Sequence, residues 1–303
     1  MPQTVLVVNA GSSSIKYQLI DPLSEVRLVS GLVERIGEPL SRIVHRSGEG
    51  VWERELPIPD HDAGFDQLRL AFSETGRPLE AAGVAAVGHR VVQGGPDFVA
   101  PAIIDDAVAA RILELAALAP LHNPGHHQAI EAARAAFPGV PHVAVFDTAF
   151  HQTMPSAAYT YAIDPAVARE HGVRRYGFHG TSHRYIAYKY RRLMGLEREQ
   201  VNLLSLHLGN GCSACAIKDG ESIDTSMGFT PLEGLLMGTR SGDLDPSVLE
   251  YLHLKEGLSI GEIDTLLNKS SGLLGISGLT SDMRELLEEE AENQDRRARL
   301  AIE

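Results

Sequence analysis

Cysteine is nearly missing from this 303-residue chain, which carries only Cys212 and Cys215. Two thiols three residues apart cannot build a disulfide framework, so the fold must be held by its own core. No stretch approaches the ~18 consecutive apolar residues of a membrane span. Met1-Pro2-Gln3 leads straight into Val5-Leu6-Val7-Val8, with no basic region before the apolar run and no small-residue cleavage site after it. The expectation is a cytoplasmic protein with no membrane partner. Positive charge is also scarce, with 27 Lys and Arg against 40 Asp and Glu and a formal charge of -13. A polyanion would be repelled, so nucleic acid is not an expected partner. The motif G-x-x-x-x-G-K-[ST] is absent, which excludes a P-loop. Hydrophobic residues at 44% against 22% charged give an ordinary globular composition, and the length suits two domains.

A pattern that occurs twice organises what is present. Residues 5–8 read as a buried strand, Asn9-Ala10-Gly11-Ser12-Ser13-Ser14 as a turn of small residues, and residues 15–20 as an alternating strand. Residues 203–208, Gly209-Asn210-Gly211 and residues 212–217 repeat that grammar, and third strands follow at 26–33 and 221–226. Two such meanders suggest a duplicated domain, with halves at 1–149 and 150–303. The first half continues with helices over 64–71, 105–119 and 125–136 and strands over 84–87 and 143–146, an α/β alternation. The second offers helices at 247–255, 261–268 and from an N-cap at Ser281 onward, with no closing strands. The second domain is expected to be cut short.

Loops of Gly, Ser and Asn between strands can turn several N–H groups and hydroxyls toward one anion, and Lys16 adds a cation just inside the returning strand. Gly209-Asn210-Gly211-Cys212-Ser213-Ala214 fits G-x-G-x-x-A, but the residues after it alternate like a strand where a dinucleotide site needs a helix. Cys212 and Cys215 would point to opposite faces of that strand, so both read as small core residues. Gly88-His89-Arg90-Val91-Val92-Gln93-Gly94-Gly95 ends a strand in an arginine able to clamp a carboxylate or phosphoryl group. Leu121-His122-Asn123-Pro124, Phe146-Asp147-Thr148-Ala149-Phe150-His151, Tyr176-Gly177-Phe178-His179-Gly180-Thr181-Ser182-His183 and Gly238-Thr239-Arg240-Ser241-Gly242-Asp243-Leu244-Asp245-Pro246 set further ionisable groups among glycines and aromatics. Each alone suits a buried histidine or a loop ion pair; five together suggest one cleft.

In order and spacing these strings, with Val8-Asn9-Ala10-Gly11-Ser12-Ser13-Ser14-Ile15-Lys16, resemble the acetate kinase family over residues 4 to about 287. The resemblance implies the duplicated ribonuclease H-like fold of the actin, Hsp70 and sugar-kinase superfamily. It implies that Asn9 helps place Mg²⁺ (or Mn²⁺) and that Ser12, Ser14 and Lys16 attend the transferred phosphoryl group. His207, Leu208, Gly209, Asn210 and Gly211 would hold ATP or ADP phosphates, with Asp282, Met283 and Arg284 along the adenosine. Arg90 and Arg240 would flank the substrate carboxylate and phosphoryl group, His179 would stabilise the transition state, and Asp147 would orient or exchange a proton. His122 would line the site, and Val92, Leu121, Phe178 and Pro231 would wall a small apolar pocket. Family members run longer, so the parts that complete the nucleotide site would lie outside these residues, and this chain is expected to turn over poorly.

The implied reaction joins acetate and ATP to give acetyl phosphate and ADP by direct in-line transfer, in a homodimer. A carboxylate is already a nucleophile at neutral pH, which favours an orienting role for Asp147 over that of an obligatory base. Propionate kinase is the first alternative, since one methylene in an apolar pocket is worth only ~1–3 kcal/mol. A catalytically incomplete fragment is the reading from a different class, and an ATPase of the chaperone or actin type is disfavoured because Arg90 and Arg240 would then have no carboxylate to hold.

Overall fold

Residues 3–79, 82–120 and 122–303 are described in the computed structural model, and the chain falls into two units, 1–149 and 150–303. The first opens with β1 (Thr4–Gly11), whose buried positions alternate strictly so that Leu6 and Val8 face the core. It turns into antiparallel β2 (Ser14–Asp21) and continues to β3 (Val26–Glu34). Two further strands, β4 (Ser41–Ser47) and β5 (Gly50–Leu56), extend the meander. They went unforeseen because Arg42, Arg46, Glu53, Arg54 and Glu55 mask the period-two signal.

Helix α1 (His61–Glu74) is capped by Asp60, whose side chain accepts from the Ala63 N–H. Strand β6 (Val84–Val91) then returns parallel to β1, four residues longer than the sequence suggested. After the short β7 (Ala102–Ile103) comes α2 (Asp106–Glu114), which tightens into a 3₁₀ turn at Leu115–Ala117 instead of running unbroken to residue 119. Helix α3 (Asn123–Ala136) leads to β8 (His142–Phe146), parallel to β6. The sheet order is β5-β4-β3-β2-β1-β6-β8-β7, mixed in sense. Leu6, Ile15, Tyr17, Phe65, Leu68, Phe72, Ala129 and Ala133 join the sheet to α1 and α3 in one core.

The second unit begins with α4 (Ser156–Tyr159), α5 (Pro165–His171) and α6 (Gly180–Met194). The last covers a stretch for which the sequence pattern suggested no helix. It starts without a side-chain cap at His179, which sits in the left-handed region at φ 57°, and ends at Gly195, so usual start signals are missing. Three antiparallel strands follow, β9 (Leu203–Leu208), β10 (Cys212–Lys218) and β11 (Glu221–Thr225), in the order β11-β10-β9. Cys215 is 1% exposed, and burial pushes its thiol up to about 11, in keeping with an inert core residue.

Helices α7 (Ser247–Glu256), α8 (Ile260–Lys269) and α9 (Gly272–Ser277) come next, then α10 (Met283–Asn293) and α11 (Arg296–Ile302). Asp282, not Ser281, caps α10: its carboxylate accepts from the Arg284 N–H. The fold is α/β with a mixed sheet, as the sequence indicates.

Candidate active site

In the first unit the parallel strands β1, β6 and β8 bring their carboxyl ends side by side, pairing Val8 with His89 and Val91 with Phe146. That edge is where open α/β sheets bind ligands. Asn9, Arg90 and Asp147 stand there together. Arg90 Nε donates to both Asp147 oxygens at 3.0 and 3.1 Å, Nη2 donates to Oδ2 at 2.6 Å, and Nη1 reaches Asn9 Oδ1 at 3.4 Å. Asp147 is 1% exposed, and both of its oxygens accept from this one guanidinium. Burial pulls the Arg90 guanidinium down, but the hydrogen bonds and charge of Asp147 outweigh it and leave it above its ordinary value.

Ser12 is exposed and Ser14 half-buried in the turn from β1 to β2, and exposed Lys16 stands directly across from Asn9. The turn lies on the first residues of α3. A Cβ on Gly125 would come within 3.0 Å of the Ser12 nitrogen and 3.1 Å of its Cα, tight enough that the turn would have to give by a few tenths of an ångström. The amino end of a 14-residue helix therefore backs the Ser12 turn, a favourable place for an anion. Val92 is buried just past β6, and half-buried His122 lies parallel to the His126 ring at 6.4 Å. Leu121 lies outside the described residues.

The second unit gathers another set. The His179 ring stacks on His207 at 3.9 Å between centroids, and His207 Nδ1 shares a proton with the Ser182 hydroxyl at 2.9 Å. A Cβ on Gly211 would lie 3.2 Å from His179 Cε1 and 3.3 Å from Arg240 Nη1, so all three converge on the turn between β9 and β10. Arg240 donates from Nη1 to the Pro231 carbonyl at 3.2 Å and forms no ion pair among the described residues; burial pulls it below its ordinary value. Such a cation, half-buried without a counter-charge, is suited to an anionic ligand.

Behind His179, the Ser213 hydroxyl lies 2.9 Å from both His179 Nδ1 and His183 Nε2, and His183 Nδ1 lies 2.9 Å from Ser205 Oγ. His183 is fully buried and pushed down to about 4, first by burial and then by His151 and His207. The sequence displayed His183 only inside a motif string, and Ser213 and Ser205 carried no signal. Cross-strand register reveals them, since Ser213 stands opposite His207 and Ser205 opposite Cys215.

Leu208, Gly209 and Asn210 line a cavity of 780 Å³ with Asp282, Met283 and Arg284, the first and second groups closing around Met237, Gly238 and Ile276. Arg284 pairs with Asp282 and helps hold its carboxyl at about 2. The Gly238 N–H donates to the Asn210 carbonyl at 3.0 Å, fixing the loop that rims this cavity. Ile276 carried no signal, because an apolar side chain that lines a cavity looks like core in sequence, and Gly238 stood only inside a motif string. Among the described residues no three His, Cys, Asp or Glu side chains are grouped to hold a metal. Asn9 offers one neutral oxygen, which suits Mg²⁺ whose remaining ligands come from phosphates and water.

The Acetokinase family matches residues 4–303. The acetate kinase of Clavibacter michiganensis subsp. michiganensis is 59% identical over 282 residues, 93% of this chain and 71% of that protein. The acetate kinase of Leifsonia xyli subsp. xyli is 58% identical over 299 residues, covering 99% of this chain and 75% of its own length. Among solved structures, Porphyromonas gingivalis acetate kinase superposes with a TM-score of 0.92 at 43% identity, covering 99% of this chain and 75% of that one. A propionate kinase from Francisella tularensis gives 0.93 at 44%, covering 99% and 76%. With one family spanning nearly all of its residues and relatives this similar, the chain is a member of the acetokinase family.

Proposed function

We propose that this protein is an acetate kinase, which moves a phosphoryl group reversibly between ATP and acetate by direct in-line transfer. The observation that carries the acceptor class is the Arg90–Asp147 pair. Both Asp147 oxygens accept from Arg90, so this carboxylate is poorly placed to strip a proton from an alcohol. An acceptor that is itself a carboxylate needs no such base, so the acyl-phosphate reaction suits a site whose buried carboxylate is held by an arginine.

In this reading Arg90 and Arg240 hold the acetate carboxylate and the migrating phosphoryl oxygens, and His179 donates to the charge that spreads over those oxygens. Asp147 fixes the Arg90 guanidinium. Ser12, Ser14 and Lys16 attend the phosphoryl group, and His207 through Gly211 hold the nucleotide phosphates. Asp282, Met283 and Arg284 flank the adenosine. The family resemblance would have Val92, Leu121, Phe178 and Pro231, with His122, wall the methyl group. Mg²⁺, carried by the nucleotide and met by Asn9, would neutralise phosphate charge. A homodimer and a cytoplasmic location belong to the same proposal; no helix among the described residues is long and apolar enough to cross a membrane.

Propionate kinase is the second reading, supported by the F. tularensis neighbour. Trapping the acyl phosphate as a hydroxamate, with acetate and propionate supplied separately alongside Mg-ATP, tests both. Preferential acetyl hydroxamate supports the proposal, preferential propionyl hydroxamate selects the second reading, and ATP hydrolysis independent of either acid overturns both.

A further inference from the structure

Arg175 belongs to none of the groups given a chemical role above, yet its side chain ties together two segments that carry such groups. Its Nη1 donates to three successive backbone carbonyls, Thr225 and Ser226 at 3.0 Å and Met227 at 3.2 Å, and its Nη2 donates to Glu233 Oε1 at 2.6 Å. The other Glu233 oxygen accepts from the Tyr161 hydroxyl, whose oxygen in turn accepts the Phe229 N–H at 2.8 Å. The backbone adds to the tie: the N–H groups of Tyr176 and Gly177 both donate to the Gly228 carbonyl, at 3.0 and 3.2 Å. A Cβ on Gly228 would collide with Glu233 and the Tyr161 hydroxyl, so the knot also dictates that glycine.

Residues 226–234 contain neither helix nor strand, so side chains and turns must satisfy their backbone groups. The knot fixes this loop at 225–227, 229 and 233. Between those ties lies Pro231, whose carbonyl accepts from Arg240 Nη1. On the other side, Arg175 is three residues before Phe178 and four before His179. We propose that Arg175 is a positioning residue whose guanidinium sets the spacing of Phe178 and Pro231 about the acyl group and, through the Pro231 carbonyl, the aim of Arg240. This rests on the acetate kinase reading. Only a planar fork reaches the three carbonyls and the Glu233 carboxylate together; an ammonium keeps the charge but not the span.

The test is Arg175→Lys, with Tyr161→Phe as a milder variant that removes only one hydroxyl from the knot. Steady-state kinetics should show the acetate KM raised about tenfold in Arg175→Lys, the ATP KM unchanged, and a smaller shift of the same kind in Tyr161→Phe. Hydrogen exchange by mass spectrometry, run without substrates, should show faster exchange in 225–234. Equal rises in both KM values, or neither rising, overturn the proposal, as does unchanged exchange in that loop. If the wild-type chain makes no acetyl phosphate, the function reading has failed instead, and the exchange measurement still decides whether Arg175 sets the loop.

Discussion

Removing Arg90 should cost more stability than removing the whole Arg90–Asp147 pair. Asp147's side chain is 2% exposed and Arg90's 37%, so Arg90→Ala leaves a carboxylate without its partner in a site that the truncation opens only in part to water. Loss of one partner from a fully buried pair costs about 3–5 kcal/mol; because this guanidinium is partly solvated, the lower end, about 3 kcal/mol, is expected. Asp147→Asn on top of Arg90→Ala removes the stranded charge and keeps the side chain's shape, and should recover about 2 kcal/mol. Urea unfolding followed by circular dichroism would give both midpoints at equal slope. Neither variant should form acetyl phosphate at an appreciable rate, so the ordering of stability is independent of activity. A double variant no more stable than Arg90→Ala would mean that another group compensates Asp147, and the site as described would be wrong.

Three other outcomes are expected. Arg240→Ala should lower turnover by orders of magnitude while leaving the far-ultraviolet spectrum and unfolding midpoint near wild type, since this guanidinium has no ion pair to lose. Acid should destabilise the fold between pH 6.5 and 4. Burial holds His45, His126 and His183 down to about 4 and His89 to about 3 against an ordinary 6.5, so the unfolded chain takes up protons there while the folded chain does not. Stability is then fully present above 6.5 and falls with pH by up to about 1.4 kcal/mol per unit for each histidine, which urea midpoints at pH 7 and 5 would register. Gly125→Ala should shift the Ser12 backbone by a few tenths of an ångström, costing about 1 kcal/mol and raising the ATP KM; unchanged kinetics would separate that turn from nucleotide phosphates.

What could be read from the sequence was the part written in short-range pattern. Both meanders follow the chain order that the pattern shows; the second turn falls on Gly209 to Gly211, whereas the first narrows to Ser12-Ser13 because Asn9 to Gly11 pair with Ser14 to Lys16 as strand. Arg90 and Asp147 could be named singly from the glycines and apolar runs around them. That they form one pair could not, because 57 residues separate them and the parallel pairing of β6 with β8 alone makes them neighbours. Strands β4 and β5 were hidden by their charged outer face, and α6 by a start at a left-handed histidine. The Arg175 knot was out of reach for the same reason as the ion pair. Its partners lie at 161, 225–229 and 233, and nothing local marks Glu233 as their meeting point.

The central claim meets its most direct test in the direction that forms ATP. Acetyl phosphate, ADP and Mg²⁺ would be mixed with the protein, and ATP followed through a coupled hexokinase assay while remaining acetyl phosphate is titrated. The account predicts one ATP for each acetyl phosphate consumed, abolished in Arg240→Ala. Acetyl phosphate lost as free phosphate without ATP, or not consumed at all, would contradict it.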